Sequence, residues 1–219
     1  MKTKLLLGLL IFTGLPLLGW GPTDLAGFFA NPARLAYLAL VGMVQAAAVI
    51  WFPASVLNSG DGEKLVARQQ WVVRWLQLAS LLLMVGGPFC DRRGLAVFDL
   101  DPLRYTGLVL AVPGFVLMLW ARASLGKQFS IQVTIQTGHR LVTGGLYRYL
   151  RHPRYSGILL FLTGTALVYR SLGALAVALV SIGVLLWRIA DEEKLMQQQF
   201  GAEWDSYAAK TARLIPGVL

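Results

Sequence analysis

Apolar runs close to the roughly 20 residues that a helix needs to cross a bilayer recur along this chain. They lie at about Leu5–Trp20, Arg34–Leu57, Trp71–Phe89 and Leu103–Ala121, followed by a longer region, Gly157–Trp187. That last region is too long for one crossing, and Tyr169-Arg170-Ser171 with Gly173 interrupts it. It reads as a helical hairpin, about Tyr155–Val168 out and Leu172–Arg188 back. Hydrocarbon offers the backbone no hydrogen bonds, so a spanning segment of this length must be helical. Charged residues make up only 14% of the chain, against about 25% in a soluble domain. The expected fold is therefore all-α: a polytopic transmembrane helical bundle of about six crossings, the last two a hairpin.

Smaller features are legible from turn chemistry. Leu5–Trp20 starts after Lys2 and Lys4 and contains Pro16. Without an A-x-A site after it, it reads as a first transmembrane helix in preference to a cleaved signal peptide. Gly21–Pro32 reads as a loop, Gly86-Gly87-Pro88 as the end of the third span, and Pro113-Gly114 as a kink. Phe129–Ile135 alternates apolar and polar residues, as a short extended piece does. Met196, Phe200, Trp204, Tyr207 and Thr211 recur at helical spacing, so the tail reads as an amphipathic helix stopped at Ile215-Pro216-Gly217.

The charges set orientation. One side collects Lys2 and Lys4, the balanced Asn58–Gln70 loop, and then Arg122, Lys127, Arg140, Arg148, Arg151 and Arg154 with no acid among them. The other mixes Asp24, Asp91, Asp99 and Asp101 with Arg34, Arg92, Arg93, Arg104 and Arg170. Basic loops stay in the cytosol, which places both termini and the connector there. The net charge of +9 follows from this arrangement, so no nucleic-acid partner is implied. The single cysteine, Cys90, excludes an internal disulfide, and no Cys/His cluster has metal spacing.

The connector ending at Gly157 is the one long polar stretch in an apolar chain. It holds both histidines, His139 and His152, together with Arg140, Arg148, Arg151 and Arg154, and no acid. From Pro102 to Ala190 there is no Asp or Glu; then Asp191, Glu192 and Glu193 arrive together. Arg188 and Glu192 share a helix face and can pair, which describes an ordinary solvated helix end. Carboxylates at a membrane boundary also suit a cationic or hydroxyl-bearing ligand. Pro153 fits the first turn of a helix, which makes His152 either a cap or a ligand-facing group. Tyr147, Tyr149 and Tyr155 fit an interfacial belt or a stack on a cation. The residues alone leave these alternatives open. There is no G-x-G-x-x-G, Walker A, H-E-x-x-H or G-x-S-x-G motif.

One resemblance separates them. LVTGGLYRYLRHPRYSG, followed by DEEKLMQQQFGAEWDSYAAKTARLIP, resembles the isoprenylcysteine carboxyl methyltransferase family, and phospholipid methyltransferases are similar in the same places. The shared pattern is L-V-x-x-G-x-Y before R-H-P-x-Y-x-G, a hairpin, then R-x-x-x-E-E-x-L ending in F-G-x-E-W-x-x-Y. Ser124-Leu125-Gly126 and Phe129-Ser130 also fit, and Leu146 departs from the Pro or small residue usual there.

The resemblance implies an S-adenosylmethionine-dependent membrane methyltransferase. Its cofactor would be surrounded by His139, Leu141, Val142, Gly145, Tyr147, His152, Pro153, Tyr155, Glu192 and Glu193. Arg151, Arg188 and Glu192 would serve catalysis, the arginines orienting an anionic, lipid-like acceptor; no metal is implied. Residues 1–121 would be N-terminal transmembrane helices that shape acceptor choice, and 122–219 the methyltransferase core, all in one membrane domain. Membrane sterol reductases, which use NADPH, share a similar R-H-P-x-Y-x-G block and tail and are the alternative. Phospholipid amines and small thiols remain alternative acceptors.

Overall fold

The computed structural model describes residues 7–8, 10–51, 70–125 and 141–217. Among these the regular structure is helical, with two isolated bridges, Val97 to Ser171 and Leu150 to Ala212. The longer helices are α1 (Leu10–Trp20), α2 (Leu25–Phe29), α3 (Pro32–Trp51), α4 (Gln70–Arg93), α5 (Leu103–Leu125), α6 (Pro153–Val168), α7 (Leu172–Phe200) and α8 (Ala202–Ala208). Three of them, α4, α5 and α7, are long and apolar enough to cross a membrane, and the bent α2–α3 pair makes up to four. The hairpin expected after Tyr155 is formed by α6 and α7. The Phe129–Ile135 piece, Gly138, His139 and the end of the second span lie outside the described residues.

Three local expectations need correction. Gly21–Pro32 is not a bare loop. Asp24 accepts a hydrogen bond from the Gly27 amide at 3.0 Å and starts α2. Gly86-Gly87-Pro88 does not end the third span, which continues to Arg93. Proline lacks an N–H and clashes with the preceding turn. Here a π-helical turn, Leu82–Gly86, widens the helix just before Pro88 and absorbs that mismatch. The real stop is Gly94, whose φ of 64° suits a left-handed cap. The tail is not one amphipathic helix either. The chain breaks at Gly201, with φ 51°, between α7 and the short α8.

The tightest helix pair is α5 against α6, and small residues make it so. A Cβ on Gly107 would meet the Gly164 carbonyl at 2.6 Å, and one on Gly114 would meet the Phe161 amide at 2.6 Å. In lipid, association gains little from hydrophobicity, so close backbone approach supplies the dispersion energy. Around this seam Phe115, Phe161, Tyr37, Val168 and Tyr169 form the core. α5 therefore enters the bundle directly beside the start of the hairpin.

Polar groups gather at the two ends of α6, which is 16 residues long, or about 24 Å at 1.5 Å per residue. At the turn end Asp91, its side chain fully buried, accepts from Arg104 Nη1 and Nη2 at 2.7 Å, from Arg34 at 3.0 Å and from Arg170 at 3.3 Å. This knot ties α3, α4, α5 and the α6–α7 turn together. A buried carboxylate tolerates its setting only when paired in this way. Just outside the helices, Asp101 accepts from Arg104 at 2.7 Å, and that bond holds its carboxyl below the ordinary range. The other end of α6 carries the candidate site.

Candidate active site

His152 and Pro153 open α6, and Arg188, Glu192 and Glu193 lie in the last turns of α7, so antiparallel packing brings them together. The tail completes the arrangement by running alongside the connector. Arg151 N–H donates to the Ala212 carbonyl at 2.8 Å, His152 N–H to Arg213 at 3.2 Å, and Ala212 N–H to Tyr149 at 3.0 Å. The Ser156 hydroxyl donates to the Leu214 carbonyl at 2.6 Å. The R-H-P block is thus clamped between the hairpin and the chain's last described segment.

Two connected networks result. In the first, Glu193 accepts from Arg151 Nε at 3.0 Å, lies 3.2 Å from His152 Nε2, and accepts from Arg213 Nη2 at 2.6 Å. Arg151 also donates through Nη1 to the carbonyls of Ala208 (2.6 Å) and Thr211. These contacts commit Glu193 and Arg151 to holding the tail. In the second, Arg188 Nε donates to the Tyr155 hydroxyl at 2.6 Å, and that hydroxyl donates to Glu192 Oε2 at 2.6 Å. Arg188 and Tyr155 are buried, at 2% and 5% exposure, so both bonds are charge-assisted and shielded from water. The His152 ring stacks on Tyr155 with centroids 5.6 Å apart, which joins the two networks.

Two members of the second network, Tyr155 and Arg188, line an apolar cavity of about 550 Å³. Arg154, Tyr155 and Arg188 line its polar end; Phe12, Leu76, Met84 and Ile158 line the rest. Both π-helical turns, Leu10–Gly14 and Leu82–Gly86, contribute to its wall. π-turns recur at functional sites because they shift a side chain off the regular helical register.

Tyr147 lies in a 3-10 turn, Gly145–Arg148, which Gly145 enters with φ 60°. Its hydroxyl donates to the Ala121 carbonyl at 3.4 Å, and its own carbonyl accepts from Tyr207 at 2.7 Å. Burial, followed by the charge of Glu192, pushes the Tyr147 hydroxyl up. Burial likewise pushes Tyr207 up to about 12.

Of the residues expected at the site, Arg151, His152, Tyr155, Arg188, Glu192 and Glu193 are brought into one connected set. Pro153 is buried in the first turn of α6, and Gly145 and Tyr147 flank the set. Leu141 lines a separate groove of about 520 Å³ with Arg148, Tyr207 and Lys210. Val142, next to it, makes none of the contacts described. Two residues were missed. Arg213 supplies two of the bonds to Glu193, and Arg154 lines the cavity. Both stand inside the quoted motifs, but no spacing rule joins Arg213 to a glutamate on another helix.

An all-helical integral membrane protein, with an ionic site where both ends of a hairpin meet a short tail, is the class these features define. Comparison with known proteins narrows it. Residues 103–203 match the phospholipid methyltransferase family. Protein-S-isoprenylcysteine O-methyltransferase A of Arabidopsis thaliana is 33% identical over 115 residues, covering 51% of this chain and 58% of that protein. The protein-S-isoprenylcysteine O-methyltransferase of Schizosaccharomyces pombe is 26% identical over 209 residues, 88% of this chain and 84% of that one. The solved eukaryotic intramembrane Ras methyltransferase, isoprenylcysteine carboxyl methyltransferase, shares the fold with a TM-score of 0.62 at 23% identity, covering 86% of this chain and 69% of that one. The chain thus spans about three fifths of the length of the plant relatives it matches. By these matches the chain is similar to the protein-S-isoprenylcysteine O-methyltransferases, and its residues 103–203 to the phospholipid methyltransferase family.

Proposed function

We propose that the protein is an S-adenosylmethionine-dependent methyltransferase that esterifies the carboxylate of a lipid-like, isoprenylcysteine-type acceptor. The observation that carries this reading is the Arg188–Tyr155–Glu192 relay, placed where an apolar cavity ends in polar groups. The cavity suits an apolar chain, and Arg154 and Arg188 at its end suit that chain's anionic head.

The residues present fit the cofactor. A carboxylate, Glu192, takes ribose hydroxyls or an amino group, and the faces of Tyr147 and Tyr155 suit a sulfonium. A Cβ on Gly144 would meet nothing within 4 Å, so the backbone there is open to a ligand. When bound, S-adenosylmethionine supplies an already activated methyl group. The protein then has little acid–base work to do. A carboxylate acceptor is ionised at neutral pH and needs placement instead of a base. Arg188, held by Tyr155, orients that carboxylate, and the apolar walls exclude water. Glu193, Arg151 and Arg213 position the tail that closes the site.

On this reading residues 1–121 shape the acceptor chamber and 122–219 form the methyltransferase core. The basic connector and both termini face the cytosol, with about six crossings in all. The acceptor enters from the lipid side and the cofactor from the cytosol.

The test is methyl transfer from labelled S-adenosylmethionine into a lipid extract by the purified protein, followed by identification of the product. A labelled methyl ester is expected. S-adenosylhomocysteine should raise the melting temperature and NADPH should not; stabilisation by NADPH alone would overturn the proposal in favour of a reductase.

A further inference from the structure

Away from the site, two polar side chains line the otherwise apolar cavity, Ser80 and Gln77. Ser80 is satisfied inside its own helix, donating to the Leu76 carbonyl at 2.8 Å. Gln77 is exposed and lines the cavity, and its side chain makes no hydrogen bond to any described residue. Its depth follows from the pairing of α4 with α7. Trp71 packs on Trp187 with ring centroids 5.3 Å apart, next to Arg188. Further in, Trp75 Nε1 donates to Ser181 at 3.1 Å. Tryptophans mark the membrane boundary, and Gln77 lies six residues beyond Trp71, or about 9 Å along the helix.

A carboxamide at that depth, with no partner among the described residues, is costly in hydrocarbon. An apolar residue would line the chamber at lower cost if the occupant were plain hydrocarbon. We infer that Gln77 is a specificity-determining residue, and that the acceptor carries a hydrogen-bonding oxygen, such as a hydroxyl, part way down its chain. The carboxamide both donates and accepts, so it meets such a group whichever role that group takes. The inference rests on the reading of the cavity as the acceptor's chamber.

The experiment uses the purified full chain in detergent with hexadecanoic acid and its 8-hydroxy derivative, whose hydroxyl falls near the depth of Gln77 when the carboxylate sits at Arg188. Binding of each is measured by native mass spectrometry, and methylation of each by label transfer. The wild type should bind the hydroxy acid roughly 3- to 10-fold more tightly, the range expected for one hydrogen bond in a membrane protein. Gln77→Leu should lose that preference and bind the plain acid at least as well. Gln77→Met, close in shape, is run alongside so that the answer does not hinge on one variant's folding. An equal preference in the wild type and both variants, or none in the wild type, overturns the inference. Gln77-dependent binding without methyl transfer leaves it standing and counts against the methyltransferase reading. Methyl transfer without Gln77-dependent selectivity sinks the inference alone.

Discussion

Replacing Tyr155 with Phe removes one oxygen and nothing else, yet that oxygen joins Arg188 to Glu192 through two bonds of 2.6 Å. Each bond involves a charged partner and is worth about 1.5–3 kcal/mol. Simple addition would give about 3–6 kcal/mol. That overstates the loss, because Arg188 and Glu192 are four apart on one helix and can move toward each other once the hydroxyl is gone. A loss of about 2–3 kcal/mol is the better expectation, or roughly 30- to 150-fold in kcat/KM. The assay is steady-state methyl transfer with each substrate varied in turn, beside thermal unfolding in detergent. Because the hydroxyl orients groups instead of reacting, kcat should fall more than the acceptor KM rises. A Tyr155→Phe enzyme within twofold of wild type, with an unchanged melting temperature, would refute the relay as the organising element of the site.

Other expectations follow from the same geometry. Glu192→Gln keeps an acceptor for Tyr155 but removes the charge; S-adenosylhomocysteine binding, measured by calorimetry, should weaken at least roughly tenfold. Asp91→Asn leaves Arg34, Arg104 and Arg170 around a neutral group, and unfolding should cost about 3–5 kcal/mol less, with S-adenosylhomocysteine affinity unchanged in protein that remains folded. Gly164→Leu wedges apart α5 and α6 and should lower the melting temperature far more than Gly173→Leu, where a Cβ meets only Ser171 Oγ at 3.9 Å. Tyr207 offers a pH test. Its folded pKa, raised to about 12 from 10.0, means that the folded state holds the proton more tightly. Its contribution to stability is complete below pH 10, fades between about 10 and 12, and should be absent from that window in Tyr207→Phe, as followed by circular dichroism.

Much of the hairpin was legible because its signals are local. Ser171 caps α7 through the Ala174 amide at 3.2 Å, and Pro153 starts α6. The failures were also local rules, overridden by neighbours. Gly86-Gly87-Pro88 would end an isolated helix, but a π-turn lets this one continue, with the Asp91 knot held at its far end. At the site, the R-H-P block and the glutamate doublet were visible as motifs, while the division of work between the two glutamates was not. Glu193 is taken up by Arg151, His152 and Arg213. Glu192 accepts instead from Tyr155, which lines the cavity.

The amino-acid order alone determined that the chain lives in a membrane as helices, and where its charged segments fall. Hydropathy and turn chemistry act over one or two turns of chain, so a linear reading captures them. The seam of glycines between α5 and α6, the pairing of the tail with the connector, and the meeting of Arg188, Tyr155 and Glu192 depend on which faces touch. Those were decided by packing in three dimensions, because close approach and buried charge pairing are properties of two surfaces and not of either one.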